Sequence, residues 1–215
     1  MRQSLKGTPA LKQVLDNNKD QKFHVAVFQT LSNTRALLYR KPKGEARAHE
    51  AMVAMDAITE DAMRARVEAK GEPISCKKGC SACCYQKVQI GDSEARAIVE
   101  FMIAERVPFS HSIMQAQAAH DKLTDAQYWQ LPKEERRCPF LSEDGACNVY
   151  AVRPLACRKY LVLSEPELCA TESGKAKVKV AINANAEVLA SAMLDLERDL
   201  QGILAKKVLE KISGR

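Results

Sequence analysis

The run Cys76-Lys77-Lys78-Gly79-Cys80-Ser81-Ala82-Cys83-Cys84 holds half of the chain's 8 cysteines. The others, Cys138, Cys147, Cys157 and Cys169, follow after a long stretch without any. The N-terminus lacks the apolar core of a secretory signal, so the chain reads as cytosolic. In a reducing compartment clustered cysteines point to metal or redox chemistry and not to a disulfide framework. Cys83 and Cys84 argue the same way, because a bridge between peptide neighbours closes a strained small ring. Four thiols this close can face one centre only if the backbone turns tightly, and Gly79 tolerates positive φ. Amides around such a turn point inward, where they donate to sulfur and stabilise negative charge. The run therefore reads as half of a thiolate metal site, completed from the later cysteines.

Four-cysteine sites suit zinc and iron–sulfur clusters alike, because soft thiolates satisfy both. Zinc usually takes two separated C-x2-4-C pairs, whereas closely spaced thiols with a distant partner favour a cluster. Cys138-Pro139 is also similar to the Cys-Pro step of ferredoxins. None of His24, His49, His111 and His120 lies near a cysteine, so a mixed Cys/His site is not expected and these read as surface or packing residues. The spacing Cys76-x3-Cys80-x2-Cys83 matches the radical-SAM triad as well. That family needs a β/α barrel after the motif and an aromatic residue where Ala82 stands, and the chain offers neither the strands nor the length.

The elements that must carry these residues are mostly helical. Val27-Leu31 and Thr34-Leu38 are i, i+4 pairs of an amphipathic helix before the break Lys41-Pro42-Lys43-Gly44. From Glu45 to Ala69 the sequence is rich in good helix formers. Its stripe of Met52, Met55, Ile58, Met63 and Val67 reads as core packing and not as a cofactor box. Gly71 and Pro73 stop this helix. Tyr85–Ile90 alternates weakly as a short strand or extended connector. Gly91-Asp92-Ser93-Glu94 opens a helix capped by Asp92 or Ser93, with Ala97, Ile98, Phe101 and Met102 buried; Val107-Pro108 ends it. Ser110–Leu123 and Thr124–Leu131 read as short helices, with Trp129 a packing residue. Cys138–Cys147 reads as two extended arms around an Asp144-Gly145 turn. Pro154 limits the next helix to a single turn that presents Cys157, and Cys169 falls in a loop after Pro166. Lys177–Ile182 alternates as a small strand. Asn183–Ile212 reads as one long helix with Val188, Leu189, Ala192, Leu196, Leu200 and Leu204 on its apolar side.

Composition agrees. In 215 residues, 46% are hydrophobic and only 5% aromatic, so the core must be aliphatic, alanine-rich and helical. No apolar run is long enough to span a membrane. The net charge of +6 is spread over helical faces with acids interleaved, which reads as solvated surface more readily than as a phosphate-binding face.

The ordered set C-x3-C-x2-C-C, Cys138-Pro-Phe-Leu, Asp144-Gly-x-Cys and Tyr150-x-x-Arg-Pro-x-x-Cys-Arg resembles the YkgJ-like cysteine-cluster family, the CxxCxxCC zinc- or iron-chelating domain. The resemblance covers roughly Cys76 to Cys169, and the first gap holds three residues where the family's name implies two. It implies metal chelation by these cysteines. A related group, the flagellin lysine N-methylases, is taken to use such a cluster with S-adenosylmethionine; no strand followed by a glycine-rich loop marks a site for that cofactor here. Cys76, Cys80, Cys83 and Cys84 are expected to supply the first ligands, with Cys138, Cys147 and Cys157 completing the site and Cys169 the loosest member. Arg153 and Arg158 flank Cys157 and are placed to offset thiolate charge, donate to sulfur or hold a carboxylate; Tyr150 and Tyr160 are placed to pack over the cluster. One four-ligand metal would leave spare cysteines, which implies two sites, a larger cluster or free redox thiols.

The expectation is a mainly α protein: an N-terminal helical segment (1–75), a cysteine-cluster region (76–170), and a C-terminal strand and long helix (171–215) packing on the same domain. Its expected role is metal chelation, an iron–sulfur cluster in preference to zinc. An iron–sulfur enzyme or electron carrier is the second class, and a zinc-stabilised nucleic-acid or protein-binding module the third.

Overall fold

A computed structural model describes residues 7–42, 44–71, 74–76, 79–165, 168–169 and 178–214. The expectations that rest on residues 1–6, Lys43, Pro73, Lys77, Lys78, Pro166 and Lys177 lie outside the described residues.

Local signals in the sequence account for most of the helices. Thr8 caps α1 (Pro9–Asn17) by accepting from Leu11 N at 3.0 Å, and Pro9 occupies the first turn, where no N–H is needed. Asp20 caps α2 (Gln21–Arg40) through Lys22 N at 2.9 Å. The long helix α3 (Glu45–Lys70) ends at Gly71, whose φ of +62° is the left-handed stop that glycine favours. Next come a 3-10 turn (Ala82–Tyr85), the two-residue strand β1 (Gln89–Ile90) and α4 (Asp92–Ala104).

Gly91, and neither Asp92 nor Ser93, caps α4: Glu94 reaches back to accept from Gly91 N at 3.2 Å. The position has no room for a larger residue, since a Cβ there would lie 1.9 Å from Glu197 Oε2. Three short helices follow, α5 (His111–Ala119), α6 (Asp125–Tyr128) and α7 (Lys133–Arg136). Tyr128 is the buried aromatic of this region, while its neighbour Trp129 stacks on Arg136 with 4.5 Å from guanidinium to ring centre.

The expected single helix over Asn183–Ile212 is two. α9 (Ala184–Leu196) stops at Glu197, and the chain turns into β2 (Gly202–Ile203) before α10 (Leu204–Ser213). Two carboxylates explain the break, one buried and one partly buried. Glu197 takes hydrogen bonds from Ser93 N, and Asp121 accepts from Ile203 N at 2.9 Å. β2 then pairs antiparallel with β1, Gln89 opposite Ile203. Leu200 consequently sits half exposed outside any helix. The expected strand over Lys177–Ile182 is reduced to a single bridge, Val180 against Val162.

The fold is mainly α, with ten α-helices and one two-stranded sheet among the described residues. α1 and α2 pack on α9; α3 packs on α4, α8 (Leu155–Lys159) and α9; α10 packs on α4 and α5. The shared core is aliphatic and alanine-rich, with Leu31, Met55, Ile98, Met114 and Val208 at or below 1% exposure and Phe140 the one fully buried phenylalanine among the described residues. No helix among them is long and apolar enough to cross a membrane.

Candidate metal centre

Four separate segments bring their cysteines to one place. Gly79 adopts φ +89°, the tight turn its position demands, and leads Cys80 into the 3-10 turn that carries Cys83 and Cys84. Cys76 is held from the other side: Val162 N donates to its sulfur at 3.3 Å, and Ser75 N donates to Val162 O at 2.8 Å.

Cys138 and Cys147 stand on the two arms of a hairpin. Leu141 bridges to Cys147, Ser142 N donates to Ala146 O at 2.9 Å, and Gly145 turns the tip at φ +81°. Cys138 N donates to Cys84 O at 2.8 Å, joining this hairpin to the first run. Both arms rest on the hydrophobic core through Cys138 and Cys147 themselves.

Cys157 sits on α8, a single turn after Pro154, as its sequence implies. Three carboxylates from the surrounding helices grip that turn. Glu94 accepts from Leu155 N at 2.9 Å, Glu187 accepts from Lys159 Nζ at 2.7 Å, and Asp56 pairs with Arg158. Nothing in the spacing of these acids marks them; only the packing of α3, α4 and α9 around α8 does.

A cavity of about 250 Å³ results, lined by Cys76, Cys80, Cys83, Cys84, Cys138, Cys147 and Cys157. Arg153, Arg158, Tyr150 and Tyr160 share its wall, and α3 contributes Asp56, Thr59, Glu60 and Met63. Met63, which the sequence assigns to core packing, thus faces the cysteines. Cys169 is outside the cavity wall, half-buried, yet near enough for Cys76, Cys80 and Cys83 to act on its thiol. None of the four histidines lines the cavity. Among the described residues no three cysteine, histidine or carboxylate side chains are gathered at metal-ligand spacing. The thiols share a chamber without forming a closed coordination shell.

Their electrostatics are those of crowded, desolvated acids. Burial pushes the Cys138 thiol up to about 12 and Cys157 well above its ordinary value, and raises Cys76, Cys147 and Cys169. Cys83 is the exception. A hydrogen bond from the Cys84 thiol brings it down to about 7, and Cys84 is raised in return. Arg153 favours the thiolates of Cys76, Cys83 and Cys147.

Arg158 has its donors committed to protein, with Nε on Arg153 O at 2.8 Å and the rest on Ala151 O and Asp56. Arg153 differs. Its guanidinium lies 4.2 Å over the Tyr150 ring, and its buried Nε finds no acceptor among the described residues. An orphaned donor beside seven thiols fits an anionic centre, a metal held by thiolates, in the space it faces.

Fold and chamber together define a helical protein built round a cysteine-walled cavity. Residues 75–180 match the family model CxxCxxCC, described as "Putative zinc- or iron-chelating domain". No curated protein and no solved structure matches the chain.

Proposed function

We propose that the protein chelates a soft metal centre, an iron–sulfur cluster in preference to zinc, through the cysteines of this chamber, in the cytoplasm. One observation carries the reading: seven cysteines, spread along the chain from Cys76 to Cys157, line one small cavity. The family's own description, zinc or iron, agrees. Cys76, Cys80, Cys83, Cys84, Cys138, Cys147 and Cys157 are the proposed ligand set, with Cys169 at its margin. The centre would supply positive charge that offsets the crowding of these thiolates, and in an iron–sulfur form would add one-electron chemistry. Arg153 would donate toward the centre's sulfur and hold its net charge down.

A catalytic or electron-transfer role is the second reading. It is favoured by the far wall of the chamber, where Asp56, Glu60 and Met63 face the thiols.

Purification without oxygen followed by iron, sulfide and zinc analysis tests the chelation reading. Iron with matching sulfide and a brown colour is the expected result; colourless protein with zinc would reverse the choice of metal. C80S and C147A are each expected to lower metal content and soluble yield together. Unchanged metal content in both would overturn the ligand set.

A further inference from the structure

α2 is held to the rest of the molecule along one narrow stripe. Val27, Leu31 and Leu38 are its buried residues, α9 packs on it, and Arg35 reaches Asp195 of α9 at 2.6 Å. The opposite face is open. Val25, Phe28, Ser32, Ala36 and Tyr39 recur there at i, i+3, i+7, i+11 and i+14, a spacing that keeps them on one side of a helix. Phe28 is 45% exposed, Val25 51% and Tyr39 67%, and Ser32 and Ala36 between them are exposed too. From Phe23 to Thr34 the helix has no lysine, arginine, aspartate or glutamate, and over its whole length it has no acid. A helix side that ends in water is ordinarily charged. α3 shows the contrast, with Glu50, Asp61, Arg64 and Glu68 exposed along its own outer side. An uncharged, largely apolar stripe about 21 Å long, at 1.5 Å per residue, fits a surface covered in solution.

The stripe is complementary to itself when two copies run antiparallel. Turned about a two-fold axis at Ser32, Phe28 of one copy meets Ala36 of the other, and Val25 meets Tyr39. Each ring thus falls opposite a smaller side chain, with the two serines at the crossing. The charges agree. Asp20, exposed at the start of α2, comes within about one turn of the exposed Arg40 of the second copy. A parallel pair would set Phe28 on Phe28, Tyr39 on Tyr39 and Arg40 on Arg40, which crowds the rings and opposes like charges.

We propose that the outer stripe of α2 is a self-association surface, through which two copies of this chain pair antiparallel about a two-fold axis near Ser32. With α9 behind each copy of α2, the pair completes a four-helix layer. No residue of α2 lines the cysteine chamber, so pairing leaves its wall unchanged. A single helix pair is a small interface of the weak class, with dissociation in the micromolar range.

The test is sedimentation equilibrium of the full-length, reduced protein from low micromolar to several hundred micromolar. A rise toward twice the chain's 23.8 kDa is expected. F28E is expected to raise the dissociation constant by more than about 10-fold, because the two-fold counts each change twice. L37E, which removes an exposed leucine from the other flank of α2, is expected to leave it unchanged. All these positions are exposed, and helical circular dichroism confirms that each variant folds. R40E reads the orientation: it sets two acids together in the antiparallel pair and is expected to weaken it by about 5-fold. An unchanged constant in R40E overturns the antiparallel arrangement, and equal weakening by L37E and F28E overturns the stripe. A chain that stays monomeric throughout overturns the proposal, and its co-sedimentation with anionic phospholipid vesicles, lost in F28E, would give the stripe to a lipid surface instead.

Discussion

Arg153 has a buried donor that the described residues leave unpartnered. Its ring partner Tyr150 fixes the guanidinium plane, its charge favours three of the thiolates, and its Nε is left without an acceptor. Partners of this kind, which touch ligands and not metal, typically change affinity by about 10- to 100-fold when removed. R153Q is therefore expected to keep the metal stoichiometry and to surrender metal to a competing chelator about 10-fold more readily. Equal retention in the two proteins would show that the guanidinium serves the loop and not the centre. Arg158 is a different matter despite its similar place in the sequence. It is 4% exposed and ties Ala151, Arg153 and Asp56 together, so its loss acts through the fold of the Cys157 turn.

Among the elements, α8 is the one whose position is most elaborately held, and Glu94 is its most telling contact. Burial pushes the Glu94 carboxyl up to about 7 from the 4.5 of an unfolded chain; nearby Glu197 raises it further, while Leu155 N, Gly91 N and Arg158 pull the other way. A raised carboxyl means that the folded state keeps a proton the unfolded chain gives up. This contribution to stability is full below pH 4.5 and is lost as pH rises through about 7. The lowered carboxyls of Asp92, Asp121 and Asp195 act in the opposite sense, and only at more acid pH. The metal-free protein is thus expected to melt at a lower temperature at about pH 7 than at about pH 5, and E94Q to flatten that difference. Thermal melts of the two proteins at both pH values check it. An identical pH dependence would mean that Glu94 is ionised, and hydrogen-bonded as a carboxylate, throughout.

For the molecule as a whole, the cysteine-bearing segment shares one apolar core with helices that lie before and after it in the chain. α2 reaches α9 through Leu31, 1% exposed, and the two ends are further joined where Thr8 N donates to Ser191 Oγ at 2.9 Å. L31A is expected to cost about 2–5 kcal/mol, seen as a lower urea midpoint, while metal bound per chain under folding conditions stays the same. A loss of metal without a loss of stability would place α2 in the site instead of in its support.

Much of this was legible before any fold was known. Helix positions follow from periodicity and caps, so α3, α4 and the one-turn α8 stand close to where their residues imply. The hairpin between Cys138 and Cys147 follows from Asp144-Gly145, because few residues other than glycine adopt the φ it needs. What sequence misplaced was set by distant partners. α9 and α10 carry a continuous helical pattern, yet Ser93 and Asp121 claim Glu197 and Ile203 and split it. Periodicity records which side of a helix is apolar and is blind to a hydrogen bond made across about a hundred residues.

By itself the sequence determined the available chemistry: soft thiols in two clusters, few aromatics, helices to carry them, and a turn at Gly79 to bend the first run. Only the tertiary structure decided which thiols share one chamber, that Met63 and Asp56 complete its wall, and that Arg153 leaves a buried donor unpaired there while Arg158 does not. The reason is physical. Residue type and local spacing govern what a side chain is able to do and how its own segment bends, whereas neighbourhood depends on the burial of apolar faces far apart in the chain, and that is settled only when α3, α4 and α9 close around α8.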